Sequence, residues 1–239
     1  IAAVLYVLTA LYAFIYDRVS APFFILAILS GIATLVVLYM YYCRYVFSFE
    51  GGGLMRRIHG YLLDHLPWDG LGSALEVGCG SGALSISAAK RFPLAEIQGI
   101  DYWPPMWNYG QPQCEANAAA EGVADRCTFQ HGDAAKLDFP DNHFDAVISN
   151  FVFHEVRTQK DKFLLVEESL RVLKKGGAFA LHDTFGNRDM YGNMDEFVAY
   201  LQEKGIADVS YLPNTEQNIP MPAPVRFMMR GIGMLYGTK

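Results

Sequence analysis

The chain has few cationic residues, and none of its cysteines stands in a metal-binding spacing. It carries 19 lysine and arginine residues against 25 aspartate and glutamate residues, which gives a formal net charge of −6. It also lacks a basic stripe and internal repeats, so we do not expect a nucleic-acid partner. The four cysteines, at positions 43, 79, 114 and 127, form no CxxC pair, and we expect neither a metal site nor disulfides.

Charged residues are also missing from most of the first 43 positions. Residues 1–16 and 23–43 contain none, and the residues 17–22 between them predict a turn. A helix over the second segment would rise about 31 Å, enough to cross a hydrocarbon core of about 30 Å. The pair is therefore predicted to form a two-helix transmembrane hairpin. Its tyrosines near the segment ends suit the membrane interface, at positions 6, 12, 39, 41 and 42.

A cleaved signal peptide and a buried helical pair of a soluble protein are the alternatives to this hairpin. A signal peptide has a basic start and a small-residue cleavage site, and neither is visible. Because the first residue is Ile1 rather than Met, we expect upstream residues that lengthen the first segment. Arg44, Arg56 and Arg57 follow the second segment, whereas the turn has one Arg beside one Asp. The positive-inside rule then predicts a cytoplasmic domain after the hairpin.

Three alternating glycines stand in residues 75–82, LEVGCGSG. The apolar residues 73–77 predict a strand that is buried on both faces, and residues 83–91 predict the helix that follows it. Glycine at these positions permits positive φ angles and lets the backbone approach a ligand closely. The segment therefore predicts a nucleotide-binding turn between a strand and a helix.

Two ligand classes fit this turn. Gly78, Gly80 and Ala83 satisfy the dinucleotide pattern, and Asp101 lies about 20 residues further on, as that pattern requires. Spacing alone therefore leaves a nicotinamide dinucleotide open. The arrangement ExGxGxG, which begins at Glu76, resembles motif I of the class I methyltransferases that use S-adenosylmethionine.

The resemblance to class I methyltransferases continues in order along the chain. It implies an α/β, Rossmann-like, doubly wound sheet of seven strands with an antiparallel last strand. The segments that resemble the second to seventh strands are residues 95–102, 127–133, 144–151, 173–180, 206–212 and 231–238. Helices are also predicted over residues 54–66 and 193–204. We expect a transmembrane hairpin over residues 1–43, a linker over 44–53 and a methyltransferase domain over 54–239.

The resemblance also implies how the cofactor is bound. Asp101 is expected to accept hydrogen bonds from both ribose hydroxyls, for which a carboxylate is suited. Asp133 is expected near the adenine amino group, and Glu76 near the amino group of the methionine part. Cys79 is expected to be a small loop residue rather than a nucleophile. The implied cofactor-binding residues are Glu76, Gly78, Cys79, Gly80, Gly82, Asp101, Tyr102, Asp133, Ala134 and Asn150.

Residues after the fourth and fifth strands are the candidates for the methyl acceptor site. His154 and Glu155 are the first catalytic candidates, because histidine is a suitable general base near neutral pH. His182 and Asp183 are the second. Asn150 is followed by Phe-Val-Phe rather than by the Pro-Pro-Tyr of methyltransferases that act on exposed amide or amino nitrogens. We therefore do not expect methylation of protein or nucleic-acid nitrogens.

The sequence predicts a membrane-anchored methyltransferase that acts on a small or lipid-soluble acceptor, such as a quinone precursor. A nicotinamide-dependent oxidoreductase and a membrane scaffold that binds S-adenosylmethionine without turnover are the alternatives. The sequence predicts neither the acceptor atom nor the oligomeric state. Residues 213–224, with four prolines, are expected to loop over the substrate side or to contact a membrane, followed by the apolar residues Phe227, Met228 and Met229. An ordinary packed connection is the alternative for this segment.

Overall fold

The computed structural model describes residues 2–16, 21–104, 109–206 and 208–239. The chain divides into two compact units, Ile1–Met55 and Arg56–Lys239. The first unit contains two apolar helices, α1 (Ala2–Tyr16) and α2 (Ala21–Phe47). Most of the turn predicted between them, residues 17–20, lies outside the described residues.

Helices α1 and α2 pack on each other through small polar side chains. The hydroxyls of Thr9 and Ser30 lie 3.5 Å apart, and Thr34 donates a hydrogen bond of 3.1 Å to the hydroxyl of Tyr6. Most other side chains of α2 are exposed, including Leu35 at 68%. With 27 residues, α2 alone among the described helices is long and apolar enough to cross a membrane, and α1 is shorter.

The second unit alternates strands and helices, as predicted for an α/β fold. Its first helix is α3 (Leu54–Asp64), of which the first two residues belong to the first unit. The strands are β1 (Gly72–Val77), β2 (Ala95–Asp101), β3 (Cys127–His131), β4 (Phe144–Asn150), β5 (Leu173–Asp183), β6 (Asp208–Leu212) and β7 (Gly233–Thr238). The other helices are α4 (Ala83–Arg91), α5 (Gln111–Ala120), α6 (Lys162–Arg171), α7 (Arg188–Tyr191), α8 (Met194–Glu203) and α9 (Ala223–Met228).

The seven strands form one sheet in the order β3-β2-β1-β4-β5-β7-β6. β1 to β5 are parallel to their neighbours, whereas β7 pairs antiparallel with β5 and β6. The predicted seven-stranded sheet with an antiparallel last strand is thus confirmed. The strand order reverses between β1 and β4, and ligands bind in such sheets at this reversal, beyond the carboxyl ends of the strands.

The sheet is buried on both faces by helices. Side chains alternate along β1, so that Leu75 and Val77 belong to the core on one face and Ala74 to the core on the other. Glu76 lies on the same face as Ala74 and is 3% exposed. A motif I carboxylate therefore stands inside the protein rather than in a solvated loop.

Some element boundaries differ from the predicted ones, because strand pairing rather than local sequence composition decides where these elements end. β5 continues to Asp183, three residues beyond the prediction, because it pairs with both β4 and β7. The segment of residues 213–224 is not entirely loop: it contains a short 3₁₀ turn, Thr215–Gln217, and the start of α9.

Candidate active site

Backbone hydrogen bonds hold the turn between β1 and α4 against the end of β2. The backbone N–H groups of Gly78 and Cys79 both donate to the carbonyl of Ile100, at 2.8 and 2.9 Å. Gly78, Gly80 and Gly82 have φ angles of 77°, 56° and 81°. These left-handed angles favour glycine, so the local sequence dictates the shape of the turn.

Asp101, the last residue of β2, is bonded to this turn. One carboxylate oxygen accepts the N–H of Gly80 at 2.8 Å, and the other accepts the N–H of Trp103 at 2.9 Å. The indole of Trp103 donates back to the carbonyl of Gly80 at 2.7 Å. Glu76, the three glycines and Asp101 are thereby brought together at the carboxyl edge of the sheet.

Gly78 and Gly80 have different surroundings. A Cβ at Gly78 would lie 2.1 Å from a side-chain methyl of Val152, so this glycine is needed for packing. A Cβ at Gly80 would meet nothing within 4 Å. The face of the turn at Gly80 is therefore open, as a ligand-binding face must be. Val152 lies just beyond β4, and its packing on Gly78 joins the turn to the region that follows β4.

Glu76 forms a buried pair with Ser85, whose hydroxyl donates to its carboxyl group. Burial raises the pKa of Glu76 to about 8, although the hydrogen bond from Ser85 acts in the opposite direction. At neutral pH the side chain is therefore largely protonated. A cationic group at the open face of the turn would favour its ionised form.

Three more of the residues implied to bind the cofactor lie along the same edge, beyond β2 and β3. Asp133 accepts the N–H of Ala135 at 2.8 Å, which closes the turn after β3, and Ala134 is buried in that turn. Tyr102 is 54% exposed, and its ring centroid lies 5.2 Å from that of His131. Of these side chains, Tyr102 is the most accessible.

His154 and Asp183 form a polar pair beyond the ends of β4 and β5. Nδ1 of His154 lies 2.8 Å from Oδ1 of Asp183, and the other carboxylate oxygen accepts the N–H of Phe153 at 2.8 Å. Asp183 is 1% exposed. Burial acts to raise its pKa, but the hydrogen bonds from His154 and from the N–H of Thr184 outweigh burial and hold the pKa below its usual range. The ionised carboxylate accepts, so Nδ1 of His154 donates.

This pair makes His154 more basic than a free histidine. Its hydrogen bond to Asp183 raises the pKa of the imidazole, against the opposing effect of burial. Nε2, the other ring nitrogen, lies 3.5 Å from Oε1 of Glu155, whose side chain is 67% exposed. His154 and Glu155 are thus adjacent, and Asp183, the second-rank candidate, contacts His154 directly.

Asn150 lies in a different network, with His182. Nδ1 of His182 is 3.0 Å from the side-chain oxygen of Asn150, and Nε2 is 2.7 Å from the hydroxyl of Thr215. Burial lowers the pKa of His182 to about 4, so the ring is neutral at pH 7. A neutral ring that donates from Nδ1 and accepts at Nε2 satisfies both partners. His182 therefore orders the edge of the sheet, and in the described part of the chain no hydrogen bond joins its ring to that of His154.

Two residues at this edge have strained backbones. Trp103 has a φ of 39° and Phe151 a φ of 58°, angles that cost non-glycine residues on the order of 1 kcal/mol each. The other positive-φ residues that are not glycine in the described part are Asn142 and Asn214, for which such angles are ordinary. Strain of this kind concentrates at functional sites, so its position agrees with a ligand site here.

Cys79 is a thiol and not a thiolate. A hydrogen bond with Cys114, together with burial, raises its pKa above the usual range. All four cysteines are free and buried, and the described residues contain no group of three or more His, Cys, Asp or Glu side chains placed to hold a metal ion. A nucleophilic role for Cys79 has no support in this environment.

Comparison with known proteins decides the family. Residues 75–181 match the family described as "Methyltransferase domain". The demethylmenaquinone methyltransferase of Thermus thermophilus is 30% identical over 168 residues, which cover 66% of this chain and 72% of that protein. The chain belongs to the class I S-adenosylmethionine-dependent methyltransferases.

Other relatives of this methyltransferase match over shorter spans or at lower identity. The demethylmenaquinone methyltransferase of Staphylococcus aureus strain JH9 is 37% identical over 112 residues. This match covers 46% of this chain and 42% of that protein. The solved structure of Haemonchus contortus phosphoethanolamine N-methyltransferase 2 with S-adenosylmethionine superposes with a TM-score of 0.60. It covers 82% of this chain and 56% of that chain at 18% identity, and it shows the shared fold.

The residues of the methyltransferase site fit S-adenosylmethionine, which is its cofactor. The carboxyl edge of the sheet offers an open glycine face at Gly80 and carboxyl groups at Glu76, Asp101 and Asp133. Because the chain belongs to the methyltransferases, the nicotinamide alternative that the glycine spacing left open is set aside.

Sequence reasoning assigned no role to several residues that hold this site together. Ser85 contacts Glu76, Asn117 donates to the carbonyl of Ser81 at 2.9 Å, and Thr215 contacts His182. Ser85 lies in the first turn of the predicted helix after motif I, which is a usable signal. Thr215 is 33 residues from its partner, and no local pattern marks it.

Proposed function

We propose that this methyltransferase is held at a membrane by α1 and α2 and methylates a lipid-soluble acceptor of the quinone class. The observation that carries the proposal is the match over 72% of a protein named demethylmenaquinone methyltransferase. The length and composition of α2 support the membrane part. The proposed division is a transmembrane hairpin over residues 1–43, a linker over 44–53 and the methyltransferase domain over 54–239.

The proposed orientation places the methyltransferase domain in the cytoplasm. Arg44 lies in the last turn of α2, Arg56 and Arg57 follow the helix, and positively charged residues near a span are enriched on the cytoplasmic side. In this arrangement the domain has access to S-adenosylmethionine in the cytoplasm, while the membrane supplies the acceptor.

The proposed binding roles follow from the site geometry. The open face at Gly80 accommodates the methionine part, with Glu76 behind it, and Asp101 holds the ribose hydroxyls from the end of β2. Asp133, Ala134 and Tyr102 border the adenine region. The other members of the proposed set are Gly78, Cys79, Gly82 and Asn150. The positions of these residues support the proposal, because all lie at or just beyond the carboxyl ends of β1 to β4.

The proposed catalytic step combines orientation with removal of a proton. When bound, S-adenosylmethionine would supply a methyl group on its sulfonium sulfur, and the neutral thioether S-adenosylhomocysteine would be the leaving group. Asp183 fixes the imidazole of His154 through Nδ1, which leaves Nε2 to accept a proton from a hydroxyl or ring carbon of the acceptor. Glu155 stabilises the resulting imidazolium from 3.5 Å. Holding the acceptor in line with the methyl group supplies much of the rate.

Methyl incorporation tests this function. The full chain in phospholipid nanodiscs is incubated with methyl-labelled S-adenosylmethionine and a demethylated long-chain quinone that dithionite keeps in its reduced hydroquinone form, and the lipid fraction is then counted. We expect label in the quinone with the wild type and a loss on the order of a hundredfold or more with His154→Gln. Label that appears in no lipid while the protein still binds cofactor would contradict the proposal and favour a scaffold role.

A further inference from the structure

The segment between β6 and β7 exposes an apolar surface on α9. One side of this short helix faces the core, since Val225 is buried and Met229, one turn later, is 8% exposed. The opposite side is also apolar, although Phe227 is 68% exposed and Met228 49%. A water-facing helix side is normally polar, so this surface indicates a contact with another apolar phase. We call its four exposed residues the α9 patch: Ala223, Pro224, Phe227 and Met228.

The charge around the α9 patch is positive, in a protein whose net charge is −6. Residues 217–239 contain no Asp or Glu and include Arg226 and Arg230, which are both exposed. The guanidinium of Arg230 lies 4.6 Å from the ring centroid of Phe227. Arg57 donates to the carbonyl of Pro220 at 2.8 Å, which adds a third arginine to this segment. An apolar centre with a cationic border is complementary to an anionic lipid surface.

The segment that carries the α9 patch lies at the same sheet edge as the active site. β5 and β6 are both antiparallel to β7, so their carboxyl ends point to one edge. Just after β6, Thr215 contacts Nε2 of His182. Just before β7, the carbonyl of Gly231 accepts the N–H of Gly186 at 2.8 Å. These contacts fix the segment beside the ends of β4 and β5, from which His154 and Asp183 arise.

We propose that the α9 patch docks on the surface of a bilayer that contains anionic phospholipid. Phe227 and Met228 then lie among the acyl chains near the headgroups, and the arginines contact lipid phosphates. A lipid-soluble acceptor passes from the bilayer to the carboxyl edge without crossing water. The identity of that acceptor rests on the proposed function, whereas the docking itself requires no turnover.

Site-specific fluorescence tests the docking in the full chain. An environment-sensitive nitrobenzoxadiazole label is placed at Phe227→Cys or, as the matched control, at Leu94→Cys. Leu94 is also a large apolar residue, 74% exposed, but it directly precedes β2 at the amino edge of the sheet. The native cysteines are buried and so react slowly. Nanodiscs contain phosphatidylcholine alone or in equal parts with phosphatidylglycerol, with or without spin-labelled lipid as quencher.

We expect the label at 227 to shift to the blue and to be quenched by spin-labelled lipid, most strongly with phosphatidylglycerol, while the label at 94 stays in water. The double variant R226Q/R230Q should remove the added effect of phosphatidylglycerol. Equal spectra and equal quenching at 227 and 94 in both discs overturn the docking. So does a 227 label in nanodiscs that is shielded from aqueous iodide but is not quenched by spin-labelled lipid, because a protein contact rather than lipid then covers the patch.

Kinetics separate this inference from the proposed function. Phe227→Ser should raise KM for a bilayer-embedded quinone on the order of tenfold, because one aromatic ring no longer inserts into the bilayer, and it should leave kcat unchanged. KM for a short-chain, water-soluble quinone should not change. Lipid insertion at 227 without any methylated quinone refutes the proposed function alone. Turnover with both labels in water refutes the docking alone.

Discussion

At the scale of single residues, the site depends on two buried carboxyl groups whose pKa values are shifted in opposite directions, because hydrogen bonds outweigh burial at Asp183 but not at Glu76. Asp183 is kept ionised because His154 and backbone N–H groups donate to it. Glu76 has fewer donors and a pKa near 8, so it is largely protonated when the cofactor is absent. The first carboxylate orients His154, the proposed base, and the second is placed to respond to the charge of a ligand.

The pH profile of Asp183→Asn tests the orientation of the base. His154 must be neutral to accept a proton, and Asp183 raises its pKa, so wild-type kcat should rise with pH through a pKa above 6.5. In Asp183→Asn this limb should move to lower pH, and kcat should fall on the order of a hundredfold. An unchanged limb, measured in steady-state assays from pH 5 to 9, would assign Asp183 a purely structural role.

Proton release on cofactor binding tests Glu76. The cofactor's ammonium group should favour ionised Glu76, so binding at pH 7 should release a proton, and affinity should rise as pH approaches 8. The observed enthalpy in calorimetry should then differ between phosphate and Tris buffers in proportion to their ionisation enthalpies. Glu76→Gln should abolish this difference. Identical wild-type enthalpies in the two buffers would contradict the account.

At the scale of elements, the β1–α4 turn contains two kinds of glycine. Gly78 is needed for packing, whereas Gly80 leaves space for the cofactor. Gly78→Ala meets Val152 as well as an unfavourable φ, so it should lower the free energy of unfolding by about 2 kcal/mol or more. In Gly80→Ala only the positive φ angle is unfavourable, at a cost of about 1 kcal/mol in the free energy of unfolding, so this variant should fold. Its methyl group occupies the ligand face, so cofactor affinity should drop at least tenfold.

Chemical denaturation and cofactor titration of the two glycine variants check this contrast. If Gly80→Ala binds the cofactor with the affinity of the wild type, the cofactor does not bind at this face of the turn.

Elements were predicted well where the information is local. The strand, three-glycine turn and helix of motif I follow from a run of about 20 residues, and the helix over 83–91 has the predicted ends. The contacts of the site are not local. His154 and Asp183 were predicted as separate candidates, because only the parallel pairing of β4 and β5 brings their ends together. Burial of Glu76 likewise depends on helices that pack on both faces of the sheet.

At the scale of the whole molecule, buried titrating groups should limit stability on both sides of neutral pH. Burial lowers the pKa values of His59 and His182 to about 4. Between pH 6.5 and 4 the unfolded chain binds protons that the folded protein does not, so stability falls as pH falls, by about 3 kcal/mol for each histidine. Glu76 acts oppositely: from pH 4.5 to 8 the folded protein retains a proton that the unfolded chain releases, so stability falls as pH rises.

Thermal unfolding of the cofactor-free protein in detergent should therefore show a maximum of Tm at about pH 6.5. Glu76→Gln should reduce the fall in Tm on the alkaline side, to which the raised pKa of His154 also contributes, and should steepen the rise in Tm on the acid side. Wild-type and Glu76→Gln proteins with Tm profiles of the same shape would show that burial does not raise the pKa of this carboxyl group.

The central claim is that S-adenosylmethionine binds at the carboxyl edge of the sheet with its ribose held by Asp101. Calorimetric titration of the full chain with S-adenosylmethionine tests this most directly, with Asp101→Asn and the exposed Asp125→Asn as a matched pair. The account predicts saturable binding to the wild type and to Asp125→Asn, and a loss of about tenfold to a hundredfold in affinity for Asp101→Asn. Equal affinity of all three proteins, or no binding to the wild type, would contradict it.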